Sequence, residues 1–372
     1  MSFEMLFSPL TVNRMELPNR IVLAPMQDYL ASEDGFITSE VIDLYLRCAR
    51  GGVGMLVLGA MPVSSKRTAR HKCIWDDKFI PGLRDLADRI HSQTDARICA
   101  QLLEKLTGPL DLIPDIESVS DEEIKQIIDD HGKAALRAKE AGFDAIALHA
   151  AHSHALATFL SLTNKRKDEY GGPVQRRTKI VAEIYQRIRQ TVGEDYPVGI
   201  RINGDDFIVG GNTLLHTRII AIKLAKMGFD YISLSAGAKL EDIPGLIPVG
   251  GRLIPYPPVG GYSGLRCVPP ASMPEGVNVY LAEDIRTLLR QAGYSTPVMT
   301  AGRIPYPELA EAILAEGKAD LIGLSRPLLR DVDWPIKAQE GRAKDIARCE
   351  YCNTCVQGLF EGQGPYCKHE KR

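Results

Sequence analysis

The chain has 372 residues, of which 45% are hydrophobic and 25% are charged, and its formal net charge is −2. This balance is typical of a globular protein with a large core, and it provides no basic surface for nucleic acid. No apolar run approaches the roughly 20 residues that span a bilayer, and the first residues lack the basic and apolar regions of a secretory signal. We therefore expect a cytoplasmic protein that binds no nucleic acid and inserts into no membrane.

Eight short apolar segments alternate with amphipathic segments, and each apolar segment predicts a buried strand. The predicted strands lie within 17–26, 55–60, 96–102, 145–149, 197–202, 231–235, 297–303 and 319–326. Helices are predicted at 39–50, 80–94, 120–141, 175–192, 213–227, 283–292 and 307–316. Residues 237–277 are rich in Pro and Gly without a clear period, which predicts a long functional loop.

Strands that alternate with helices predict a parallel sheet, and eight strands are the number that closes a (β/α)8 TIM barrel. A doubly wound open sheet is the alternative, but no strand–GxGxxG–helix unit near the N-terminus supports it. The strand ends of a barrel converge on one rim, where ligands bind. The residues predicted at this rim are Gln27, Tyr29, Ala60, Gln101, His149, His152, Arg201, Gly302, Arg303, Ser325 and Arg326.

Three of the eight histidines, His149, His152 and His154, fall within six residues at the end of the fourth predicted strand. A single histidine there would be read as a surface residue, whereas three together favour a site. Arg201 lies in an apolar strand, and a buried guanidinium needs an acceptor. That acceptor is either a buried carboxylate or a ligand, such as a flavin ring with a carbonyl and a negative nitrogen.

Four of the eight cysteines, Cys349, Cys352, Cys355 and Cys367, crowd the last 24 residues. Three close cysteines and a distant fourth suit four thiolates around a 4Fe-4S cluster. A zinc site is the alternative, although zinc sites more often show two separated pairs. We therefore divide the chain into a barrel at 1–340 and a cluster-binding segment at 341–372. The other four cysteines are expected in the core: Cys48, Cys73, Cys99 and Cys267.

Several motifs together resemble the Old Yellow Enzyme family of flavin oxidoreductases, from about residue 6 to residue 334. They are Ala24-Pro25-Met26, the HAAH of His149–His152, the NKRKDEYGG of Asn164–Gly172, the AGR of Ala301–Arg303 and the LSRPLL of Leu324–Leu329. The cysteine-rich tail resembles the iron–sulfur branch of that family, which contains 2,4-dienoyl-CoA reductase, 2-enoate reductase and trimethylamine dehydrogenase. Those relatives continue into nucleotide-binding domains, which we expect to be absent here, truncated or supplied by another subunit.

The resemblance implies an FMN cofactor in the barrel, a 4Fe-4S cluster in the tail, and NAD(P)H as a direct or indirect electron donor. Gln101 would bond the pyrimidine edge of the flavin, and Arg201 would lie by N1 and O2, where it stabilises the reduced ring. Five residues would line the isoalloxazine: Ala24, Pro25, Met26, Gln27 and Ala60. Four residues would hold the FMN phosphate: Gly302, Arg303, Ser325 and Arg326.

The resemblance also implies a reaction. His149 and His152 would donate hydrogen bonds to a substrate carbonyl while flavin N5 delivers hydride to the β-carbon. Tyr29 would close over the substrate. His154 stands where relatives commonly have a tyrosine proton donor. The implied activity is ene-reduction of an α,β-unsaturated carbonyl or thioester, of the enoate or enoyl-CoA class. Electrons would pass singly through the cluster from a separate flavoprotein or reductase subunit, and we expect a homo-oligomer.

Two other functions remain open. The first is an amine dehydrogenase or demethylase of the trimethylamine dehydrogenase type, with Tyr29, Tyr256 and Tyr262 as the walls of an aromatic cage. The second is an electron-transfer subunit of a larger flavoprotein complex. His154 and the shortened capping segment before Asp121 motivate the second function. Two further differences from the family pattern are Gln27, which replaces a common Cys or Thr, and Leu103–Leu106, which replaces the usual His-Ala-Gly-Arg. We expect this change to open the mouth of the barrel, or loop 237–277 to cover it.

Overall fold

Eight parallel strands close into a barrel, which confirms the predicted fold class. The computed structural model describes residues 2–66, 69–106, 115–237, 261–360 and 364–369. An N-terminal hairpin, β1 (Leu10–Val12) and β2 (Met15–Leu17), precedes the barrel. The barrel strands are β3 (Ile21–Leu23), β4 (Met55–Pro62), β5 (Arg97–Leu103), β6 (Ala145–Ala150), β7 (Val198–Asn203), β8 (Tyr231–Ser235), β9 (Val298–Ala301) and β10 (Leu321–Leu324). Each strand pairs in parallel with the next, and β10 pairs with β3 to close the ring.

Helices surround the barrel. The longer ones are α1 (Ser39–Arg50), α2 (Ile80–Gln93), α3 (Asp121–Glu140), α6 (Lys179–Val192), α7 (Leu214–Met227), α9 (Val279–Gln291) and α10 (Pro307–Ala315). The short ones are α4 (Ala155–Leu160), α5 (Val174–Arg177), α8 (Gly261–Cys267), α11 (Arg326–Arg330), α12 (Trp334–Gln339) and α13 (Thr354–Phe360). Two 3-10 turns lie at Asp77–Phe79 and Ala343–Asp345.

The start of α3 follows from its sequence. The Ser120 hydroxyl accepts from the Glu123 amide, and the Glu123 carboxylate accepts from the Ser120 amide. This reciprocal capping box, which the sequence predicts, satisfies two amides that a helix start would leave unpaired. The buried face of the helix, with Ile124 and Ile127, packs into the outer hydrophobic core. Burial of each such side chain contributes about 1.5–3 kcal/mol.

The barrel interior changes from apolar to polar along the strands. Its amino end is filled by an apolar cluster that the hairpin seals from below. The cluster consists of Val12, Met15, Leu17, Val22, Met55, Val57, Cys99, Ala145, Ala147, Tyr231, Met299 and Leu321. Farther along, the interior positions become polar, as Gln101, His149 and Arg201 show. Among the described residues, the charged and amide side chains of the interior lie toward the carboxyl end, which is therefore the end that suits a polar ligand.

The structure differs from the prediction in several local elements. The hairpin and five of the six short helices were not predicted. The predicted helix at 175–192 is interrupted at Thr178, which divides it into α5 and α6. The expectation of an unstructured 237–277 is wrong in part, because α8 lies within it, whereas residues 238–260 lie outside the described residues. Cys48, Cys73 and Cys99 are buried as expected, and Cys267 is half-buried. No described helix combines the length and hydropathy needed to cross a bilayer.

Candidate active site

Strand register brings three polar side chains together inside the barrel. His149 on β6 is paired with Arg201 on β7, and Arg201 is paired with Ser233 on β8. Their neighbours in sequence, such as Leu148 and Ile200, belong to the outer core. Because side chains alternate along a strand, His149, Arg201 and Ser233 face the interior. The rim predicted from the sequence is therefore a continuous polar surface on this side.

The three predicted histidines form one cluster. The ring centre of His149 lies 4.4 Å from that of His154 and 5.3 Å from that of His152, with edge-to-face geometry in both pairs. His149 is buried, with 5% of its surface exposed. His152 and Ser153 both adopt positive φ, 58° and 56°. Two consecutive non-glycine residues in this region store backbone strain, which is typical of functional sites.

Arg201 is a buried cation without a carboxylate partner. It is 7% exposed, and its Nη1 and Nη2 donate to Ser233 Oγ at 2.6 Å and Ser235 Oγ at 3.0 Å. Its Nε finds no acceptor in the described part of the chain, where no ion pair to Arg201 is seen either. Burial lowers its pKa to about 10, so it stays charged at neutral pH. Two hydroxyls do not neutralise a guanidinium, and the site therefore suits a ligand with an anionic edge.

Two other strands, β3 and β5, bring further polar atoms to the rim that need partners. Both amide atoms of Gln27 and the Nε2 of Gln101 are buried and have no hydrogen-bond partner among the described residues. Gln27 is held by close backbone packing, since a Cβ added to Gly59 would lie 1.9 Å from Met26 O. Buried amides are almost always hydrogen-bonded. Small side chains nearby, such as the buried Ala60, leave room for a planar ring.

A buried ionic network supports the segment that carries Gln27 and Tyr29. Lys72 Nζ lies 2.5 Å from Asp28 Oδ2, and both side chains are fully buried. The Tyr45 hydroxyl donates to the same oxygen at 3.0 Å. Tyr29 adopts a φ of 53°, and its ring centre lies 5.3 Å from that of His71. Tyr29 therefore lies at the rim on a backbone segment that the buried network holds in place. Its ring is next to a histidine, His71, that the sequence analysis did not single out.

The exits of β9 and β10 contact the C-terminal segment. Arg303 Nη1 donates to Pro270 O at 2.7 Å, and Arg326 Nη1 donates to Pro269 O at 2.8 Å and to the Asn353 side chain. The guanidinium carbons lie 4.8 and 4.6 Å from the centre of the Tyr351 ring. Both arginines therefore contact the tail through the Tyr351 ring, and Arg326 also contacts it through Asn353. The nearby Gly302 has a φ of 122°, and a Cβ at this position would lie 2.8 Å from Asn278 Nδ2.

Ser325, the remaining residue predicted at this exit, contacts the residue that follows β3. The Ser325 hydroxyl donates to Ala24 O at 3.1 Å, and the Ala24 amide donates to Leu324 O at 2.7 Å. Pro25 and Met26 follow, both half-buried. The residues predicted to line the isoalloxazine therefore begin next to a residue predicted to hold the FMN phosphate, where β10 pairs with β3.

The tail cysteines lie close enough to influence one another. Burial raises the pKa of Cys355 to about 11 and also raises that of Cys349, while Arg326 opposes both changes. Burial raises the pKa of Cys352 too, but hydrogen bonds with Thr354 outweigh it and the net pKa falls. Cys367 adds to the effect on Cys349 and Cys355. Across the described ranges, however, no set of three or more His, Cys, Asp or Glu side chains is arranged to hold a metal ion.

The sequence reasoning missed residues that the structure brings into the site. Ser233 and Ser235 could have been found, because alternation along Tyr231–Ser235 places them on one face with Tyr231. His71 lies in a connection without a pattern, and nothing in the sequence indicated its position beside Tyr29. Tyr351 lies between two of the predicted cysteine ligands, but its contacts with two distant arginines depend on the closed barrel.

Comparison with known proteins identifies the family. A sequence profile described as the NADH:flavin oxidoreductase / NADH oxidase family matches residues 5–112, 113–243 and 271–345. The chain is 36% identical over 378 residues to the NADH oxidase of Thermoanaerobacter brockii, covering 96% of this chain and 54% of that one. It is 35% identical over 350 residues to the NADPH dehydrogenase of Halalkalibacterium halodurans, covering 90% and 93%.

A solved structure is similar over the whole chain. The complex of 2-naphthoyl-CoA reductase with 2-naphthoyl-CoA superimposes with a TM-score of 0.85 at 26% identity, covering 100% of this chain and 57% of that one. The chain thus spans about half the length of this reductase and of the NADH oxidase. The profile match and the near full-length similarity to the NADPH dehydrogenase decide the family. The chain belongs to the NADH:flavin oxidoreductase / NADH oxidase family, the Old Yellow Enzyme family of flavin-dependent oxidoreductases.

Proposed function

We propose that the chain is an FMN-dependent ene-reductase that acts on an α,β-unsaturated carbonyl compound of the enoate or enoyl-CoA class. The observation that carries this proposal is the buried guanidinium of Arg201, whose partners among the described residues are two hydroxyls, and which lies beside the histidine cluster. Similarity to a reductase solved with an aromatic acyl-CoA supports the thioester class. The chain covers about half of that relative, so the substrate is part of the proposal.

The unpartnered buried atoms fit FMN. Gln27, Gln101 and Arg201 would bind the polar edge of the ring, because each has a buried amide or guanidinium atom without a partner among the described residues. Four small or apolar residues would line its face: Ala24, Pro25, Met26 and Ala60. Four residues at the exits of β9 and β10 would hold the phosphate end: Gly302, Arg303, Ser325 and Arg326. Bound FMN would supply a hydride from N5 to the substrate β-carbon.

The chain's own contribution to the reaction is electrostatic. Reduction of a conjugated alkene places negative charge on the carbonyl oxygen, and donors fixed near that oxygen lower the barrier. His149 and His152 would donate to it. His154, whose ring packs on His149, would stand where a proton could be given to the α-carbon. Tyr29, with His71 behind it, would exclude water from the open side.

The cysteine tail, residues 341–372, is proposed to bind a 4Fe-4S cluster through Cys349, Cys352, Cys355 and Cys367. Their spacing and mutual electrostatic influence support this assignment. A cluster would provide single-electron transfer, which NAD(P)H cannot. We therefore also propose an electron donor of the flavoprotein or reductase-subunit class, with NAD(P)H as its ultimate source.

Amine oxidation is less well supported by the site. Of its proposed cage residues, Tyr256 lies outside the described residues, and the Tyr262 hydroxyl accepts from Arg266. The Arg266 guanidinium lies 5.9 Å from the centre of the Tyr262 ring and 4.2 Å from that of Phe207. A substituted ammonium at the same ring would meet a positive charge already in place.

The decisive experiment is a reoxidation assay. Protein purified anaerobically, with iron and flavin contents measured, is reduced chemically and mixed with a series of enoates and enoyl-CoAs. We expect flavin absorbance to return with at least one alkene, and His149→Ala/His152→Ala to slow this step by about 100-fold or more. His91→Ala is the control, since His91 pairs with Asp144 at the opposite end of β6.

The same assay discriminates between the functions. Flavin bleaching by methylated amines, with no response to any alkene, would establish the amine dehydrogenase instead. Flavin that is bound but reacts with neither class would indicate an electron-transfer subunit. An iron content near zero in protein handled anaerobically, with zinc in its place, would overturn the cluster assignment.

A further inference from the structure

A single hydroxyl joins the buried arginine to the histidine cluster. Ser235 Oγ lies 3.0 Å from Arg201 Nη2 and 2.6 Å from His152 Nε2. Ser235 is 5% exposed, so water does not compete for these bonds. Strand β8 fixes its backbone through pairing of Ser235 with Asn203 on β7. Ser235 belongs to none of the sequence motifs described above, although alternation along β8 places it on the same face as Ser233.

The direction of these hydrogen bonds follows from their chemistry. A guanidinium has only donors, so Ser235 Oγ must accept from Arg201. The hydroxyl hydrogen of Ser235 then remains available. His152 Nε2 can accept this hydrogen, or it can donate to the same oxygen if the ring is protonated or carries its single proton on Nε2. If Nε2 donated, the buried hydroxyl hydrogen of Ser235 would be left without an acceptor, since Arg201 and His152 are the contacts of this oxygen among the described residues, and buried polar hydrogens are almost always bonded. The nearby Arg201 is buried and positively charged, and it disfavours a second cation at this short range.

The neutral ring therefore accepts at Nε2, and its proton must lie on Nδ1. We propose that Ser235 is a positioning residue that holds His152 in the Nδ1–H tautomer. This inference rests on the proposed function in one respect, the assignment of His152 to the substrate carbonyl. With that assignment, the group that donates to the carbonyl oxygen is Nδ1–H, since Nε2 is bonded to Ser235.

The rest of the surroundings keeps the ring of His152 in place for this role. Its backbone amide donates to Asn203 Oδ1 at 3.3 Å, and Asn203 Nδ2 in turn donates to Asp206. Its φ of 58° fixes the turn after β6. The edge-to-face contact with His149 limits ring rotation. With its backbone fixed and its ring packed on His149, His152 can be set to one tautomer by one further hydrogen bond, which is the role assigned to Ser235.

Ser233 provides a matched control within the same strand. Its hydroxyl accepts from Arg201 Nη1 at 2.6 Å, and it shares the buried environment of Ser235. The bond to His152 is made by Ser235. Ser233→Ala and Ser235→Ala each remove one acceptor from Arg201, but only Ser235→Ala removes the partner of His152. Ser235→Thr retains the hydroxyl and should behave as the wild type.

The test reads the tautomer directly, without any turnover. Flavin-loaded protein labelled with 15N-histidine is studied anaerobically by long-range 1H–15N correlation, with His152 assigned from the signals lost in His152→Gln. We expect the Nδ1–H pattern in the wild type, Ser233→Ala and Ser235→Thr, and substantial Nε2–H population in Ser235→Ala. An Nε2–H pattern in the wild type, or no change in Ser235→Ala, would overturn the proposal.

Kinetics supply the second measurement. With an active alkene substrate, Ser235→Ala should lower kcat about tenfold more than Ser233→Ala, with equal flavin content. If no alkene is reduced, the proposed function fails, but the tautomer measurement still decides the role of Ser235. If alkenes are reduced and Ser235→Ala keeps both the wild-type tautomer and wild-type kcat, the positioning role alone is wrong. A thermal unfolding profile of each variant establishes that it is folded.

Discussion

The guanidinium of Arg326 lies 4.6 Å from the centre of the Tyr351 ring, and this contact joins the exit of β10 to the cysteine-rich tail. Arg303 lies 4.8 Å from the same ring centre. Tyr351 is 3% exposed, and its φ of 53° turns the chain sharply between Cys349 and Cys352. Buried cation–π contacts contribute about 2 kcal/mol each. The segment proposed to hold the cluster is thus packed on the arginines proposed to stand at the FMN phosphate.

Replacing Tyr351 by Leu should therefore affect both sites at once. We expect Tyr351→Leu to weaken FMN binding by about tenfold, because Arg303 and Arg326 lose the ring that orders them. Iron content should fall in the same variant. FMN affinity is measured by quenching of flavin fluorescence, and iron by chemical assay. Tyr351→Phe is the control: its ring is unchanged, and the hydroxyl of Tyr351 has no partner among the described residues. An equal loss of FMN affinity and iron in Tyr351→Leu and Tyr351→Phe would contradict the prediction.

A second prediction concerns the buried pair beneath the rim. Lys72→Met leaves Asp28 charged and without its cation in a fully buried position. Breaking such a pair typically costs about 3–5 kcal/mol, and we expect a loss of this size in the free energy of unfolding, measured with urea. The double variant Asp28→Asn/Lys72→Met should lose less than the sum of the single variants. Arg89→Ala, in the exposed pair with Asp85, should change stability by only about 0.5 kcal/mol.

The barrel could be predicted from the sequence because the spacing of apolar residues is a local property of the chain. It identifies each strand separately, and the eight strands can then be counted. All eight barrel strands lie where alternating apolar segments predicted them, and the Ser120 capping box is present. The histidine cluster was also predictable, since its members lie within six residues. The partners of Arg201 were not assigned, because strand register decides which side chains of β8 lie beside it. The Tyr351 contact could not be foreseen, since it joins residues 25 and 48 positions apart only after closure.

A third prediction follows from the buried carboxyl group of Glu104, in the segment that replaces the family's usual His-Ala-Gly-Arg. Burial raises the pKa of Glu104 from 4.5 to about 7, and Asp130 adds to the effect. Between these pH values the folded state keeps a proton that the unfolded state loses. The free energy of unfolding must therefore fall as pH rises from about 4.5 to about 7. The maximum loss is on the order of 3 kcal/mol.

Glu104→Gln should remove this loss, because its amide is neutral throughout the range. Urea unfolding of the wild type and the variant at pH 5 and pH 8 measures the difference. We expect the variant to be the more stable protein at pH 8, and the two to be similar at pH 5. Glu122→Gln, in an exposed position on α3, should retain the wild-type pH dependence. The prediction would be contradicted if, from pH 5 to pH 8, the free energy of unfolding of the wild type rose relative to that of Glu104→Gln. Glu104 would then ionise in the folded state without a loss of stability.

The last prediction tests the close packing behind Gln27. A Cβ at Gly59 would lie 1.9 Å from Met26 O and 2.9 Å from Gln27 N. Gly59→Ala must therefore displace this backbone, and we expect FMN affinity to fall by about 100-fold or more while the protein remains folded. Gly82→Ala is the control, because its Cβ meets only Ile37 at 3.4 Å within α2, where alanine is favoured by up to about 1 kcal/mol. Unchanged flavin binding in Gly59→Ala would mean that the Met26–Gln27 backbone does not form the wall of the cofactor site.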